Sequence, residues 1–255
     1  MTTSGATRTS SCASPWRCRQ IAERWGWRAV AGLLFAPTCA LCGRPLERPG
    51  WVCGECVRAL PALRPPRCAV CGARLDDPSV DLCRLCGTRD RGFEAARALG
   101  PYASGWGRLL RALKFGGERA IAVPLGRLLA DNVRGSPLLD EPTVVTYVPM
   151  TTGERRRRGF NQSRLLARRT AHELGLPTAR LLRKRRRTRP QTGLSGGDRR
   201  RNLQGAFRAV NGKGGGAVLL IDDVYTTGAT ASECSRTLRD GGWNRVTVLT
   251  VARST

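Results

Sequence analysis

The chain has 255 residues, 41% of them hydrophobic, with 44 Lys and Arg against 19 Asp and Glu for a formal net charge of +25. That length and apolar content exclude a wholly disordered protein and suit one main domain with a small companion. The charge points to anionic partners such as phosphates or nucleic acid, because a field of that sign concentrates them, and it says nothing of fold.

Residues 1–14, rich in Thr and Ser, are expected to form a disordered tail. Residues 15–36 read as an amphipathic helix, with Trp16, Trp25, Trp27 and Leu33 as packing residues. Its apolar run, Ala29 to Ala36, is eight residues long. A bilayer crossing takes about 20 residues, so no membrane insertion is expected. The run is also at the short end for a secretory leader, and Thr38 precedes Cys39 where a lipoprotein site has a small residue. A cytoplasmic location is the resulting expectation.

Eight of the eleven cysteines form four Cys-x-x-Cys pairs between residues 39 and 86. Two intervening residues let both thiolates of a pair reach one tetrahedral ion, and the longer gaps leave room for a short hairpin between knuckles. Gly43, Gly72 and Gly87 directly follow cysteines, as tight knuckle turns require. Residues 37–90 are therefore expected to be a zinc ribbon region holding one or two structural Zn²⁺. Cys39, Cys42, Cys53 and Cys56 make one four-thiolate set; Cys68, Cys71, Cys83 and Cys86 make the other. Spacing leaves open whether the sets are used in sequence or interleaved. Four thiolates leave no open coordination position, so the role is structural or for partner binding.

Residues 91–255 read as a second unit. Phe93 to Tyr102 predicts a strand, and Trp106 to Phe115 a helix closed by Gly116 and Gly117. A helix over Ile121 to Val133 follows, then a β-branched run, Thr143 to Val148, suited to a buried parallel strand. A basic loop leads into a helix from about Asn161 to Leu174. Residues 176–216 hold short polar elements, with a hairpin near Ala206 to Val210. The chain closes with a strand (Ala217 to Asp222), a loop, a helix (Ala229 to Asp240) and a strand (Arg245 to Val251). This alternation predicts an α/β fold with a mostly parallel sheet flanked by helices. His172, the single histidine, falls on a helix as a surface or packing residue, and Cys234 reads as a small buried apolar one.

Val218 to Thr230 (VLLIDDVYTTGAT) carries the chemistry. A buried strand ends in two carboxylates, and a hydroxyl- and glycine-rich turn then opens a helix. Backbone N–H groups and the Thr226, Thr227 and Thr230 hydroxyls can converge there on one anion at the positive end of the helix. Adjacent acids repel a bare phosphate, so they need another target: ribose hydroxyls, or Mg²⁺ held through water. A phosphorylated ribose meets both demands.

This stretch resembles the phosphoribosyl pyrophosphate signature of type I phosphoribosyltransferases. Four further features resemble the ComF family of competence-associated phosphoribosyltransferases: Val148-Pro149 followed by RRRRGFNQS (Arg155 to Ser163), Leu113-Lys114-Phe115, RPQTGLSGGDRRRNLQGAF (Arg189 to Phe207) and the cysteine pattern. The resemblance implies that Asp222 and Asp223 are the catalytic pair holding the ribose hydroxyls, and that Thr226, Thr227, Gly228, Ala229 and Thr230 cradle the 5′-phosphate. It implies a pyrophosphate loop at Arg158, Gly159, Asn161 and Gln162, and a hood carrying Gln191, Thr192, Arg199 and Asn202. The implied chemistry is displacement of pyrophosphate from C1 of phosphoribosyl pyrophosphate with Mg²⁺ as cofactor, through an oxocarbenium-like state.

Residues 151–215 hold 19 Lys and Arg against three acids, with RKRRR at Arg183 to Arg187. Such a segment can contact nucleic-acid phosphates in a salt-dependent way, or be a solvated basic loop. The resemblance implies partners in natural transformation: single-stranded DNA and a competence helicase or DNA-processing protein. The alternative is a non-catalytic zinc-ribbon adaptor that binds DNA or a helicase and keeps the ribose-phosphate pocket as a sensor.

Overall fold

The computed structural model describes residues 38–46, 51–139, 143–186, 196–210 and 214–254. The expected tail over 1–14 and helix over 15–36 lie outside the described residues, as do Gln191 and Thr192. In chain order the strands are β1 (Ala95–Pro101), β2 (Thr143–Tyr147), β3 (Leu182–Lys184), β4 (Phe207–Ala209), β5 (Ala217–Tyr225) and β6 (Arg245–Arg253). The helices are α1 (Gly54–Arg58), α2 (Arg84–Gly87), α3 (Gly105–Phe115), α4 (Ala122–Val133), α5 (Thr152–Arg158), α6 (Gln162–Leu174), α7 (Gly196–Leu203) and α8 (Ala229–Asp240). Four strands form one sheet in the order β1-β6-β5-β2, with every neighbouring pair parallel. The expected α/β architecture, a parallel sheet flanked by helices behind a cysteine-rich region, is what the chain adopts.

A parallel sheet must be covered on both faces, and β5 is apolar on both. Val218 and Leu220 pack with Ala231, Cys234 and Leu238 of α8. Leu219 and Ile221 pack with Leu109, Leu110 and Leu113 of α3 and with Leu166 and Ala167 of α6. The helices before β5 thus cover one face and the helix after it covers the other. Neighbouring strands whose connections leave to opposite faces open a crevice at their carboxyl ends, and that crevice lies beyond β2 and β5.

The helix starts follow from local hydrogen bonding. Ser104 caps α3 by accepting from the Trp106 amide, and Asn161 caps α6 by accepting from the Arg164 amide at 3.0 Å. The basic stretch expected as a loop is the helix α5. Thr151 accepts from the Glu154 amide while Glu154 accepts from the Thr151 amide, and this reciprocal pair satisfies two free donors at the helix start. Four arginines then propagate the turn until Gly159 ends it in the left-handed region.

Two further expectations are corrected. The hairpin near Ala206 to Val210 is not local: β4 pairs antiparallel with β3, with α7 between them in the chain. β5 runs on to Tyr225, past the paired acids, because β6 continues to supply ladder partners up to Arg253. Among the described residues no helix is long and apolar enough to cross a membrane.

Candidate functional site

The end of β5 places two carboxylates side by side, each held by a different element. Asp222 Oδ1 accepts from Ser163 Oγ and from the Asp223 amide, both at 2.9 Å. Asp223 forms an ion pair with Lys114 of α3 and accepts from Gln162 Nε2 at 3.1 Å and from the Val224 amide at 2.8 Å. One ammonium therefore serves two acids, Asp223 buried and Asp222 partly so. Burial, reinforced by the neighbouring Asp223 carboxylate, pushes Asp222 up to about 8. Burial acts on Asp223 in the same sense, but Lys114 and the N–H donors outweigh it and hold that acid below the usual range. With Asp222 ionised the pair would be short of one positive charge, so a cation or a row of hydroxyl donors fits beside Asp222.

Beyond the acids the chain turns through Thr226 and Thr227 into α8, with Gly228 at φ +76°. Arg91 props this turn from behind, donating from Nη2 to the Tyr225 hydroxyl at 3.0 Å and to the Thr227 carbonyl at 2.9 Å. Burial pushes the Tyr225 phenol up to about 12, so it stays neutral. A Cβ on Gly228 would run into the Tyr225 hydroxyl and the Arg91 guanidinium. Gly228→Ala is expected to destabilise by about 2 kcal/mol or more, the positive φ and the clash adding, measured as a lowered thermal midpoint.

Asp222, Asp223, Thr226, Gly228 and Thr230 line one cavity of about 580 Å³ together with Lys114, Arg157, Arg158 and Gln162. Arg158 Nη1 donates to Gln162 Oε1 at 3.2 Å, tying α5 to α6 at the rim. Lys184 of β3 pairs with Glu154 of α5 at 2.8 Å, and both line the same space. Gly159 and Asn161 are not on its wall: Gly159 ends α5, and Asn161 donates to the Val148 carbonyl at 3.0 Å. Thr227 and Ala229 open instead on a second cavity, so the turn does not bring all its predicted anion ligands to one place. Arg199 and Asn202 lie on α7, and Asn202 is partly buried.

The eight paired cysteines form two clusters, Cys39, Cys42, Cys53 and Cys56, and Cys68, Cys71, Cys83 and Cys86, used in sequence and not interleaved. Within each, the sulfurs all lie within 4.8 Å of one another. A tetrahedral zinc with Zn–S of about 2.3 Å sets its sulfurs about 3.8 Å apart. Cys42 and Cys53 Sγ are 3.8 Å apart, and Cys71 and Cys83 Sγ 3.6 Å. Burial works against ionising Cys39, but amides of Cys53, Cys42 and Leu41 overrule it and hold that thiol at about 6. Both clusters fit structural zinc.

Residues 30–91 match the double zinc ribbon domain family. A DNA utilization protein, YhgH, from Salmonella typhi is 34% identical over 221 residues, covering 85% of this chain and 96% of that protein. A competence protein F from Haemophilus influenzae is 32% identical over 179 residues, covering 68% of this chain and 78% of the relative. The chain belongs to the ComF family. Two solved structures are also similar to this ComF-family chain. An allosteric regulatory enzyme of purine biosynthesis is 23% identical with a TM-score of 0.35, covering 51% of this chain and 26% of that one. A glutamine phosphoribosylpyrophosphate amidotransferase from B. subtilis is 18% identical with a TM-score of 0.38, covering 56% and 30%. The chain spans about a quarter to a third of those two enzymes.

Sequence reasoning missed several residues of the site. Lys114 was legible only as part of a short resemblance, because nothing in the spacing of α3 says that its last turn reaches Asp223. Ser163, Arg91 and Tyr225 meet the acids or the turn only through the packing of distant elements. Glu154 carried a usable signal, the capping-box spacing from Thr151.

Proposed function

We propose that the larger cavity binds phosphoribosyl pyrophosphate with Mg²⁺, and that the protein acts in the handling of DNA taken up during natural transformation. The single observation that carries the reading is the meeting of Asp222 and Asp223 with Thr226, Gly228 and Thr230 on the wall of one cavity. In this reading the acids take the ribose 2′ and 3′ hydroxyls, and Thr226, Gly228 and Thr230 take the 5′-phosphate at the start of α8. Arg157, Arg158 and Lys184 line the same space and would take the diphosphate. Mg²⁺ would neutralise charge growing on the leaving pyrophosphate while C1 is attacked. The chain's own residues bind and orient the sugar, and no nucleophilic side chain is needed. The names of the relatives, a DNA utilization protein and a competence protein, support the cellular role. Nine free cysteines among the described residues suit a reducing, cytoplasmic setting.

Calorimetry on zinc-loaded protein tests this. Asp222→Ala with Asp223→Ala is expected to abolish Mg²⁺-dependent uptake of phosphoribosyl pyrophosphate. Unchanged affinity in that variant, or no uptake by the parent protein, sinks the reading. A second reading, a non-catalytic adaptor for single-stranded DNA or a helicase that retains the pocket, is favoured by the exposed Arg155, Arg156 and Arg157 of α5 beside the cavity. Pyrophosphate release across a panel of nucleobases, nucleotides and DNA ends separates the two.

A further inference from the structure

A second cavity, of about 430 Å³, opens on the back of the same turn. Four arginines line it, Arg89, Arg91, Arg201 and Arg236, against two acids, Asp90 and Glu233. Both acids are already engaged. Asp90 pairs with Arg239 at 3.3 Å and accepts from the Gly92 amide at 2.7 Å, while Glu233 accepts from the Gly205 amide at 2.6 Å. Arg201 pairs with Asp198 at 2.7 Å, so Arg89, Arg91 and Arg236 are the arginines left in excess of the acids on this wall.

The wall is built, not a chance gathering of surface charge. Residues 89–92 are clamped to α8: Arg236 donates to the Asp90 carbonyl at 3.0 Å, and Gly92, at φ +73°, lies so close that a Cβ would approach Arg236 Cγ to 2.8 Å. Arg91 is only 8% exposed and no carboxylate pairs with it among the described residues. Its Nη2 serves the Tyr225 hydroxyl and the Thr227 carbonyl, while its buried Nε has no hydrogen-bond partner. A buried guanidinium without an anion is a costly arrangement unless a ligand supplies one. Thr227 and Ala229, at the start of the 12-residue helix α8, complete the wall. The helix dipole there favours negative charge.

The two cavities share a turn and differ in chemistry. The first sets paired acids beside its cations, as a sugar or a hydrated cation needs. The second offers cations and a helix N-terminus, with its acids spent, as a bare anion needs. We infer that the second cavity is a separate anion site for the phosphoryl group of a phosphate ester, carried by a small nucleotide or by a nucleic-acid strand. Its size lies within the range of small-ligand sites, roughly 300–1,000 Å³.

The test uses the zinc-loaded full chain and three probes: inorganic phosphate, thymidine 5′-monophosphate and a 5′-phosphorylated oligothymidine. Arg89→Ser with Arg201→Ser removes two exposed cations of the second cavity, and Thr226→Val with Thr230→Val serves as the control in the first. Loss of charge-assisted hydrogen bonds is expected to weaken one phosphate-binding event by about tenfold or more in the arginine variant. The control variant keeps that event. Equal affinity in the arginine variant and the parent, or a loss confined to the control, overturns the inference. Should the double variant unfold early, Arg89→Ser alone gives the same reading. Tighter binding of the mononucleotide than of the oligomer assigns the site to a small ligand, and the reverse order to a strand.

Discussion

Loss of zinc from the second cysteine quartet is expected to bring down the α/β domain, whereas loss from the first leaves it folded. Cys68 and Cys71 are 1% and 4% exposed and belong to the same core as Phe93, Ala96, Tyr225 and Ala229. Their knuckle is stitched to the sheet edge. The Ala96 amide donates to the Val70 carbonyl at 2.6 Å, Arg97 to the Ala69 carbonyl at 2.9 Å, and Arg253 to the Cys71 carbonyl at 2.5 Å. The Arg253 guanidinium also lies over the Tyr225 ring, 4.6 Å from its centroid, so the knuckle reaches the wall of the larger cavity. Structural zinc supplies about 10–16 kcal/mol in small ribbons and fingers, comparable with the whole stability of a domain. The first quartet is less tied to the domain: Cys39 is buried but none of its four cysteines joins either core, Cys42 is exposed, and Leu41, Trp51, Val52 and Leu60 pack only partly buried on the other core. Cys71→Ser and Cys42→Ser are each expected to lose one zinc per chain. The thermal midpoint should fall by more than about 10 °C in Cys71→Ser and by only a few degrees in Cys42→Ser. Equal falls would show that the ribbons are energetically equivalent.

Asp222→Asn is expected to stabilise the ligand-free protein while removing its affinity for the activated sugar. The folded chain raises Asp222 to about 8, first through burial and then through Asp223. Unfolded carboxylates titrate near 4, so between about pH 4 and 8 the folded state holds a proton that the unfolded state has released. The sign follows: stability is highest at the acid end of that window, falls as pH rises through it, and levels off above. Asp222 is only partly buried and lines the cavity, which reduces the effect to on the order of 2 kcal/mol at pH 8. Asp223 behaves oppositely, its stabilising pair with Lys114 being lost as pH falls below the usual carboxylate range. Urea midpoints across pH 5 to 9 check the claim. The parent should lose stability with rising pH, and Asp222→Asn should be flatter and higher at pH 8. A parent curve that rises through this window would refute the reading of the acid pair. Such a gain is the usual signature of a site whose strained electrostatics serve a ligand.

Much of this was legible beforehand, for reasons tied to particular residues. Two-residue spacing and glycine knuckles marked the quartets because metal coordination is a local geometric demand. Val218 to Ile221 marked the central strand because a strand buried on both faces must be apolar throughout. Gly116 and Gly117 marked the end of α3, while the capping box at Thr151 and Glu154 was written in the chain and overlooked among the arginines that follow it.

The sequence by itself determined the periodicities, the metal-ligand spacing and the acid-acid-threonine turn, since each depends on residues close together along the chain. Only the tertiary structure decided that the quartets fill in order, that β4 pairs with β3 across α7, and that Lys114 neutralises Asp223. It also decided that Arg91 stands behind the turn and that Thr226 and Thr227 line different cavities. Those contacts join residues up to 136 positions apart. Their partners are chosen by how helices pack on the two faces of one sheet, which no local pattern of residues specifies.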